Sequence, residues 1–182
     1  MKIETETLDK ETLAPIFKAF NLAGFRLFYV GGCVRNAILN CGPTDVDLAT
    51  DATPSQMRKV AEAMRVRVIP TGEAYGTLMF QLNHRNYEIT TFRKDIKTDG
   101  RRALVEFGTT LEEDAVRRDF TVNALYLDSE GVLIDPLGGI EDVKARRVRF
   151  VGDANGRIRE DYLRILRFFR FYAWYGNPKK GI

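Results

Sequence analysis

Apolar residues recur at helical spacing over residues 8–22, where Leu13, Ile16, Phe17 and Phe20 share one face before Ala23-Gly24 closes the segment. From 26 to 30 the pattern becomes a short apolar run, as expected of a buried strand, and it ends on Gly31-Gly32. Residues 33–40 predict a short helix, followed by a turn around Pro43 and a strand-like run carrying Asp45 and Asp47. A further helix opens with Thr53 as N-cap and Pro54 in its first turn, and sets Met57, Val60, Ala61 and Met64 on one face. Residues 66–69, 77–82 and 87–93 predict strands, the last two as a hairpin. The stretch 94–109 is polar and contains glycine, with Lys97, Arg101 and Arg102 alternating with Asp95 and Asp99, and predicts a mobile loop. Thr110 with Glu113 makes a capping-box pattern at the start of another helix. Residues 124–128 and 132–135 flank Ser129-Glu130-Gly131 as a hairpin.

The last predicted helix runs from residue 158 to about 175. Leu163, Ile165, Leu166, Phe168, Phe169 and Phe171 cover most of its surface, so it has to pack on several sides. Asp161, Arg164, Arg167 and Arg170 recur every three residues along what remains. Together these elements predict an α/β (α+β) chain, a small mixed or antiparallel sheet with helices packed against it.

Composition narrows the chemistry. The 182 residues are 45% apolar and 29% charged, as in a globular domain, and a net charge of +3 does not describe a strongly basic nucleic-acid binder. The longest apolar runs fall far short of a membrane span, and the polar start MKIETETLDKETL predicts a cytoplasmic protein. His84 is the only histidine, and Cys33 and Cys41 are the only cysteines. That excludes an ordinary Cys/His zinc site, a Ser-His or Cys-His nucleophile pair within this chain, and a histidine-dependent metal hydrolase. Two reduced thiols are expected.

The candidate chemistry sits between Phe28 and Thr50. Alternate strand side chains share a face, so Asp45 and Asp47 project together while Val46 and Leu48 turn inward. Paired carboxylates repel each other, and hard divalent cations with their preference for oxygen ligands account for such a pair. Gly31 and Gly32 permit a sharp turn and close backbone approach, and the free N–H groups of the following helix favour phosphate, with Arg35 one turn further on. A D-x-D or a Gly-Gly alone means little; strand, glycine pair, helix, turn and D-x-D in that order point to phosphoryl or nucleotidyl transfer. Glu88, in the strand 87–93, is a candidate third carboxylate.

The strings GGCVRN and DVDLAT resemble the head domain of class II tRNA nucleotidyltransferases (CCA-adding enzymes) and the related bacterial poly(A) polymerases, within the superfamily named after DNA polymerase beta. Asn36 stands where that family reads Asp; it keeps the size and one acceptor but not the charge. RRDFTVNA is close to a second family string, and EDYLR resembles the EDxxR amino-acid template that selects the incoming base. DPLGGIEDVKARRVRFVGD matches the connection between head and neck, in which Gly138-Gly139 and Asp142 are structural.

The resemblance implies a nucleotidyltransferase head over 1–153 and the start of a helical neck over 154–182. It implies two Mg²⁺ on Asp45 and Asp47, phosphate at Gly32 and Arg35, and nucleotide contact from Arg118. Asp119 and Asn123 would recognise the ribose, Asp161 and Arg164 the base, and Arg167 and Arg170 the nucleotide or triphosphate. Cytosine and adenine each pair an exocyclic amine with an unprotonated ring nitrogen, matching a carboxylate acceptor and a guanidinium donor. Uracil and guanine invert both positions, at about 1–3 kcal/mol for each unsatisfied buried group. CTP, ATP and a tRNA 3′ end are the partners implied, and a loop like 94–109 is found in members able to add the terminal A. Poly(A) or A-only addition is the alternative within the class, and a nucleotide-binding subunit of little activity the alternative outside it. The chain ends in GNPKKGI directly after the template-like helix, so the family's body and tail regions are expected to lie outside it. The uncovered apolar helix is expected to pair with a second copy or a separate C-terminal half.

Overall fold

The four apolar residues Leu27–Val30 form strand β1, and all four are buried. A strand buried on both faces needs a layer on each side. The computed structural model, which describes residues 2–3, 8–42, 44–99 and 102–177, supplies both. Antiparallel to β1 run β2 (Asp47–Thr50) on one side and β8 (Tyr126–Leu127) on the other. Outside β2 lie β5 (Arg85–Thr91), which pairs with it in parallel, and then antiparallel β4 (Thr77–Leu82) and β3 (Arg67–Gly72). Outside β8 lies β9 (Leu133–Ile134), giving a seven-stranded mixed sheet in the order β3-β4-β5-β2-β1-β8-β9.

Alternate residues of β1 feed two cores. Leu27 and Tyr29 face helices α1 (Lys10–Leu22) and α3 (Pro54–Met64), whose Leu13, Ile16, Phe20, Met57, Val60 and Ala61 join Leu48, Leu78, Phe80 and Ile89. Phe28 and Val30 face the other way, into a smaller core of Ala49, Phe92, Ala124 and Tyr126, with Leu111 and Ala115 from helix α4 (Leu111–Val116). Both predicted N-caps form: Thr53 and Gln56 make a capping box ahead of Pro54, and Thr110 and Glu113 make another ahead of α4. The β4–β5 turn is two residues long, Asn83 and His84, both at positive φ (46° and 62°), as a type I′ hairpin requires.

Two expectations are corrected. The stretch 94–109 is a β-hairpin rather than a loop: β6 (Arg93–Asp99) pairs antiparallel with β7 (Arg102–Phe107), with a register shift between Asp95 and Lys97. Charges on alternate positions of a two-stranded ribbon read as loop composition because such a ribbon buries little on either face. Gly100 and Arg101 lie outside the described residues, as do Pro43 and residues 178–182. The single helix expected over 158–175 is two, α6 (Ala154–Glu160) and α7 (Leu163–Tyr175), broken where Asp161 takes extended backbone (φ −154°, ψ 106°).

Short α2 (Gly32–Ile38) follows β1, and α5 (Gly139–Ala145) precedes the run that leads to the neck. Asp142 on α5 is fully buried, and accepts from Thr121 Oγ1 (2.6 Å), Arg147 Nε (2.6 Å) and Arg149 Nε (2.8 Å). Helix α7 is seated by rings: Phe120 lies 4.9 Å from Phe150 and 5.4 Å from Phe171, and Phe150 stacks on Phe168 at 5.7 Å. The opposite side of the neck exposes Tyr162, Leu166, Phe169 and Trp174. Among the described residues no helix is long and apolar enough to cross a membrane.

Gly139 packs against backbone, since a Cβ there would stand 2.2 Å from the Thr121 carbonyl oxygen. Gly139→Ala is therefore expected to cost about 2–3 kcal/mol, because the clash is with main chain rather than a movable side chain. Thermal unfolding should show a Tm lower by about 5–10 °C; an unchanged Tm would mean that α5 moves freely off the 121–123 turn.

Candidate active site

The register of β2 on β5 sets Asp47 directly beside Glu88. Asp45, two residues before Asp47, lines the same cavity of about 490 Å³, with Thr44, Val46 and Asn86 among the other walls. Asp47 is exposed as a residue, yet burial of its carboxyl group pushes its pKa up, and the neighbouring charges of Glu88 and Asp45 add to this against Arg118, to about 6. Among the described residues no ion pair joins Asp45, Asp47 or Glu88 to a cation, and no three acidic side chains converge into a ready-made ligand cluster. The donor set is all oxygen and carries uncompensated charge, which fits a hard divalent cation on Asp45 and Asp47. Glu88 is a neighbour that raises the proton affinity of Asp47.

At the end of β1 the chain turns through Gly31, whose φ of 74° and ψ of −123° belong to glycine. Its N–H donates to the Leu125 carbonyl (3.1 Å) and its carbonyl accepts from Arg35 N (3.0 Å), so the turn is tied to both neighbouring segments. Arg35 lies beside this turn, its Nη2 3.6 Å from where a Cβ on Gly32 would stand, and it is buried, 5% exposed. Its Nη1 donates to Asn123 Oδ1 and its Nη2 to Asn36 Oδ1 (3.1 Å), while Tyr175 and Phe171 of α7 lie 3.9 and 5.1 Å from the guanidinium carbon. These two rings bring the end of α7 over α2 and cover the guanidinium.

Asn123 and Asp119 continue that chain of contacts. Asn123 Nδ2 donates to Asp119 Oδ1 (3.0 Å), and Asp119 Oδ2 accepts from Arg167 Nε (2.9 Å). Asn36, Arg35, Asn123, Asp119 and Arg167 thus form one path from α2 to α7. Arg167 and Arg170 also flank the Phe171 ring, at 5.8 and 5.3 Å.

Arg118 is held from below. Its Nη2 donates to Asp114 Oδ2 (2.9 Å) and its Nε to Tyr126 Oη (3.0 Å), and its Nη1 would stand 3.7 Å from a Cβ placed on Gly31. Burial works against the Arg118 charge, but Asp114 overcomes it and raises the pKa above the usual arginine value. Asp161 and Arg164 were expected one turn apart on a single helix, and the break separates them. Asp161 Oδ1 accepts from Leu163 N (3.0 Å) at the start of α7, and Arg164 Nη1 donates to the Arg157 carbonyl (2.7 Å) and to Glu160. Arg157 in turn donates to the carbonyls of Arg117 and Arg118, both at 2.6 Å, which fixes α6 to the end of α4.

Four residues here escaped the reading from sequence: Asp114, Tyr126, Arg157 and Glu160. Asp114 was legible in principle, as an acid three and four residues before Arg117 and Arg118 on a helix. The others contribute through contacts far apart in the chain. Both thiols are free, as expected, and Cys33 is buried, which pushes its pKa up to about 11.

A profile described as the poly A polymerase head domain matches residues 27–149. Among curated relatives, the mitochondrial CCA tRNA nucleotidyltransferase 1 of Danio rerio is 47% identical over 171 residues, which are 93% of this chain and 40% of that protein. The CCA-adding enzyme of Streptococcus gordonii is 41% identical over 175 residues, 95% of this chain and 43% of that protein. The chain spans about two-fifths of the length of these relatives. Among solved structures, the Bacillus stearothermophilus CCA-adding enzyme in complex with CTP superposes with a TM-score of 0.81 at 36% identity, covering 93% of this chain and 40% of that one. A tRNA nucleotidyltransferase complexed with a primer tRNA and an incoming ATP analog gives a TM-score of 0.68 at 31% identity, over 86% and 44% of the two chains.

Two predictions follow from the buried charges. Burial drives the Asp114 pKa up, but Arg118 and Arg117 outweigh it and hold the carboxyl at about 2, against an ordinary 3.8. A depressed folded-state pKa contributes stability above the unfolded value that is lost as pH falls from near 4 toward 2, here about 2 kcal/mol. Urea unfolding should show that loss in the wild type and its absence in Asp114→Asn, which is already weaker at pH 7; parallel pH curves for the two would refute the assignment. Asn36→Asp sets a carboxylate against the Arg35 guanidinium and should raise stability by about 1 kcal/mol at pH 7. An unchanged or lower urea midpoint would contradict it.

Proposed function

Because the chain belongs to the poly A polymerase head-domain family, we propose that it transfers CMP and AMP from CTP and ATP to the 3′-hydroxyl of a tRNA, without a nucleic-acid template and with release of pyrophosphate. The observation that carries this reading is the uncompensated pair of Asp47, at the start of β2, and Asp45, just before it, beside a glycine turn. It is supported by relatives named for CCA addition and by structural neighbours described with CTP and with primer tRNA. Residues 1–153 form the head on this reading and 154–182 open the neck. The free thiols Cys33 and Cys41 support a reducing setting such as the cytoplasm.

Asp45 and Asp47 would hold two Mg²⁺, which lower the pKa of the attacking hydroxyl and neutralise the triphosphate and its leaving group. The Gly31-Gly32 turn presents backbone to the phosphates, and Arg118, fixed beneath it by Asp114 and Tyr126, supplies positive potential there. Arg35, beside Gly32, adds positive charge for the phosphates and keeps α2 in place. Asp119 and Asn123 read the ribose hydroxyls from a position where they already bond each other. Asp161 accepts from the exocyclic amine of cytosine or adenine, and Arg164 donates to the adjacent ring nitrogen, each exchanging its present contact for the base. Arg167 and Arg170 stand along the same helix for the triphosphate.

A second reading is favoured by the coverage of the relatives: the chain is a CTP- and ATP-selective head that needs further protein, or a second copy on the exposed α7 face, to hold RNA.

Labelled CTP, ATP, UTP and GTP offered separately with Mg²⁺ and a tRNA lacking its 3′ end distinguish these readings. CTP and ATP incorporation that falls more than about a hundredfold in Asp45→Ala supports the enzyme. Incorporation of ATP alone points to A-only or poly(A) addition. Selective CTP and ATP binding with no incorporation supports the second reading. Equal incorporation or binding of all four nucleotides would refute base selection by Asp161 and Arg164.

A further inference from the structure

Arg35 is a buried cation with an unusual set of partners. Its two hydrogen-bond acceptors, Asn123 Oδ1 and Asn36 Oδ1, are both neutral, and its Nε has no partner. The Asp119 carboxylate is bonded to it only through the Asn123 amide, and its field favours the charge from there. The nearest remaining support is Tyr175, whose hydroxyl also favours the charge and whose ring lies 3.9 Å from the guanidinium carbon, well inside the range of a cation–π contact, with Phe171 at 5.1 Å. Phe171 also faces Arg167 and Arg170, whereas Tyr175 faces Arg35 alone among the described cations.

Tyr175 is the last residue of α7, and Arg35 sits on α2, the helix that leaves the glycine turn. Helix α7 is therefore fixed to the head at three places along its length: Phe168 and Phe171 on Phe120 and Phe150, Arg167 on Asp119, and Tyr175 on Arg35. With Phe168 as the pivot, Tyr175 lies about 10 Å along the axis in one direction and Arg164 about 6 Å in the other. A slip of about 1 Å at the Tyr175 end then moves Arg164 by about 0.6 Å, a displacement that matters for hydrogen bonds to a base.

We propose that Tyr175, which lies outside every site motif, is a positioning residue: by stacking on the buried Arg35 it sets the pitch of α7 over the glycine turn and so the place of the base-reading side chains. The consequence for nucleotide selection rests on the function proposed above; the seating of the helix does not.

Hydrogen exchange of the ligand-free 182-residue chain, with equilibrium CTP and UTP binding alongside, tests this on Tyr175→Ala, Tyr175→Phe and Arg35→Gln. Tyr175→Ala is expected to speed exchange across Leu163–Tyr175 at least about tenfold, to leave β1 and β2 as slow as in the wild type, and to weaken CTP binding about tenfold with a smaller CTP/UTP ratio. Tyr175→Phe keeps the ring face and loses only the hydroxyl, so in both measurements it should lie closer to wild type than to Tyr175→Ala. The double variant Arg35→Gln with Tyr175→Ala should exchange no faster in α7 than Arg35→Gln alone, since both remove one contact. Unchanged α7 exchange in Tyr175→Ala, or Tyr175→Phe as fast as Tyr175→Ala, overturns the proposal. A wild type that binds CTP and UTP equally would sink the function reading instead, and the exchange result would stand by itself.

Discussion

Everything in this head hangs on β1 having to be dry on both sides. Four apolar residues in a row cannot sit on a two-layer edge, so the chain must place α1 and α3 on one face and α4 with Tyr126 on the other. That requirement fixes where β1 ends. The glycine turn emerges at the rim of the sheet between the two cores, and antiparallel β2 delivers Asp47 to the same rim. The site is thus a by-product of packing: hydrophobic burial decides which backbone groups and carboxylates meet.

Charge is treated in two opposite ways within this one domain. Asp114 is almost wholly buried and is given two arginines and a tyrosine hydroxyl, and Asp142 is given a threonine and two arginines. These are closed local circuits that make structure. Among the described residues Asp45, Asp47 and Glu88 have no ion-pair partner, Arg118 acting on Asp47 only through its field, so their mutual repulsion stays open to be relieved by something from outside. The contrast between satisfied and unsatisfied carboxylates separates framework from site better than acidity alone.

Where neighbours in sequence are neighbours in space, the chain could be read directly. The β1–glycine–α2 succession, the Thr53 and Thr110 N-caps, the one-residue spacing of Asp45 and Asp47 and the 126–134 hairpin are all of this kind. What the sequence did not show has one cause, which is that the deciding partner lies elsewhere. Nothing within residues 158–175 announces a break at Asp161, because the break is held by Arg157 reaching back to carbonyls at the end of α4. Nothing near Arg35 says that it faces inward, because the rings that cover it come 136 and 140 positions later, at Phe171 and Tyr175. The β6–β7 ribbon escaped because each of its strands is defined by pairing with the other, and the charge-rich run Arg93–Asp99 carries no polar–apolar alternation of its own.

The break between α6 and α7 changes what affinity measures in this protein. With no ligand, the Asp161 carboxylate already has an occupation, closing the first turn of α7 at Leu163 N. On the proposed reading, an incoming base that takes over that oxygen displaces one hydrogen bond, at a toll of about 1 kcal/mol. The toll is the same for all four bases, so it cancels from every comparison between them while weakening each one about fivefold. Discrimination and tightness are thereby uncoupled, and on that reading the site can be choosy without being sticky.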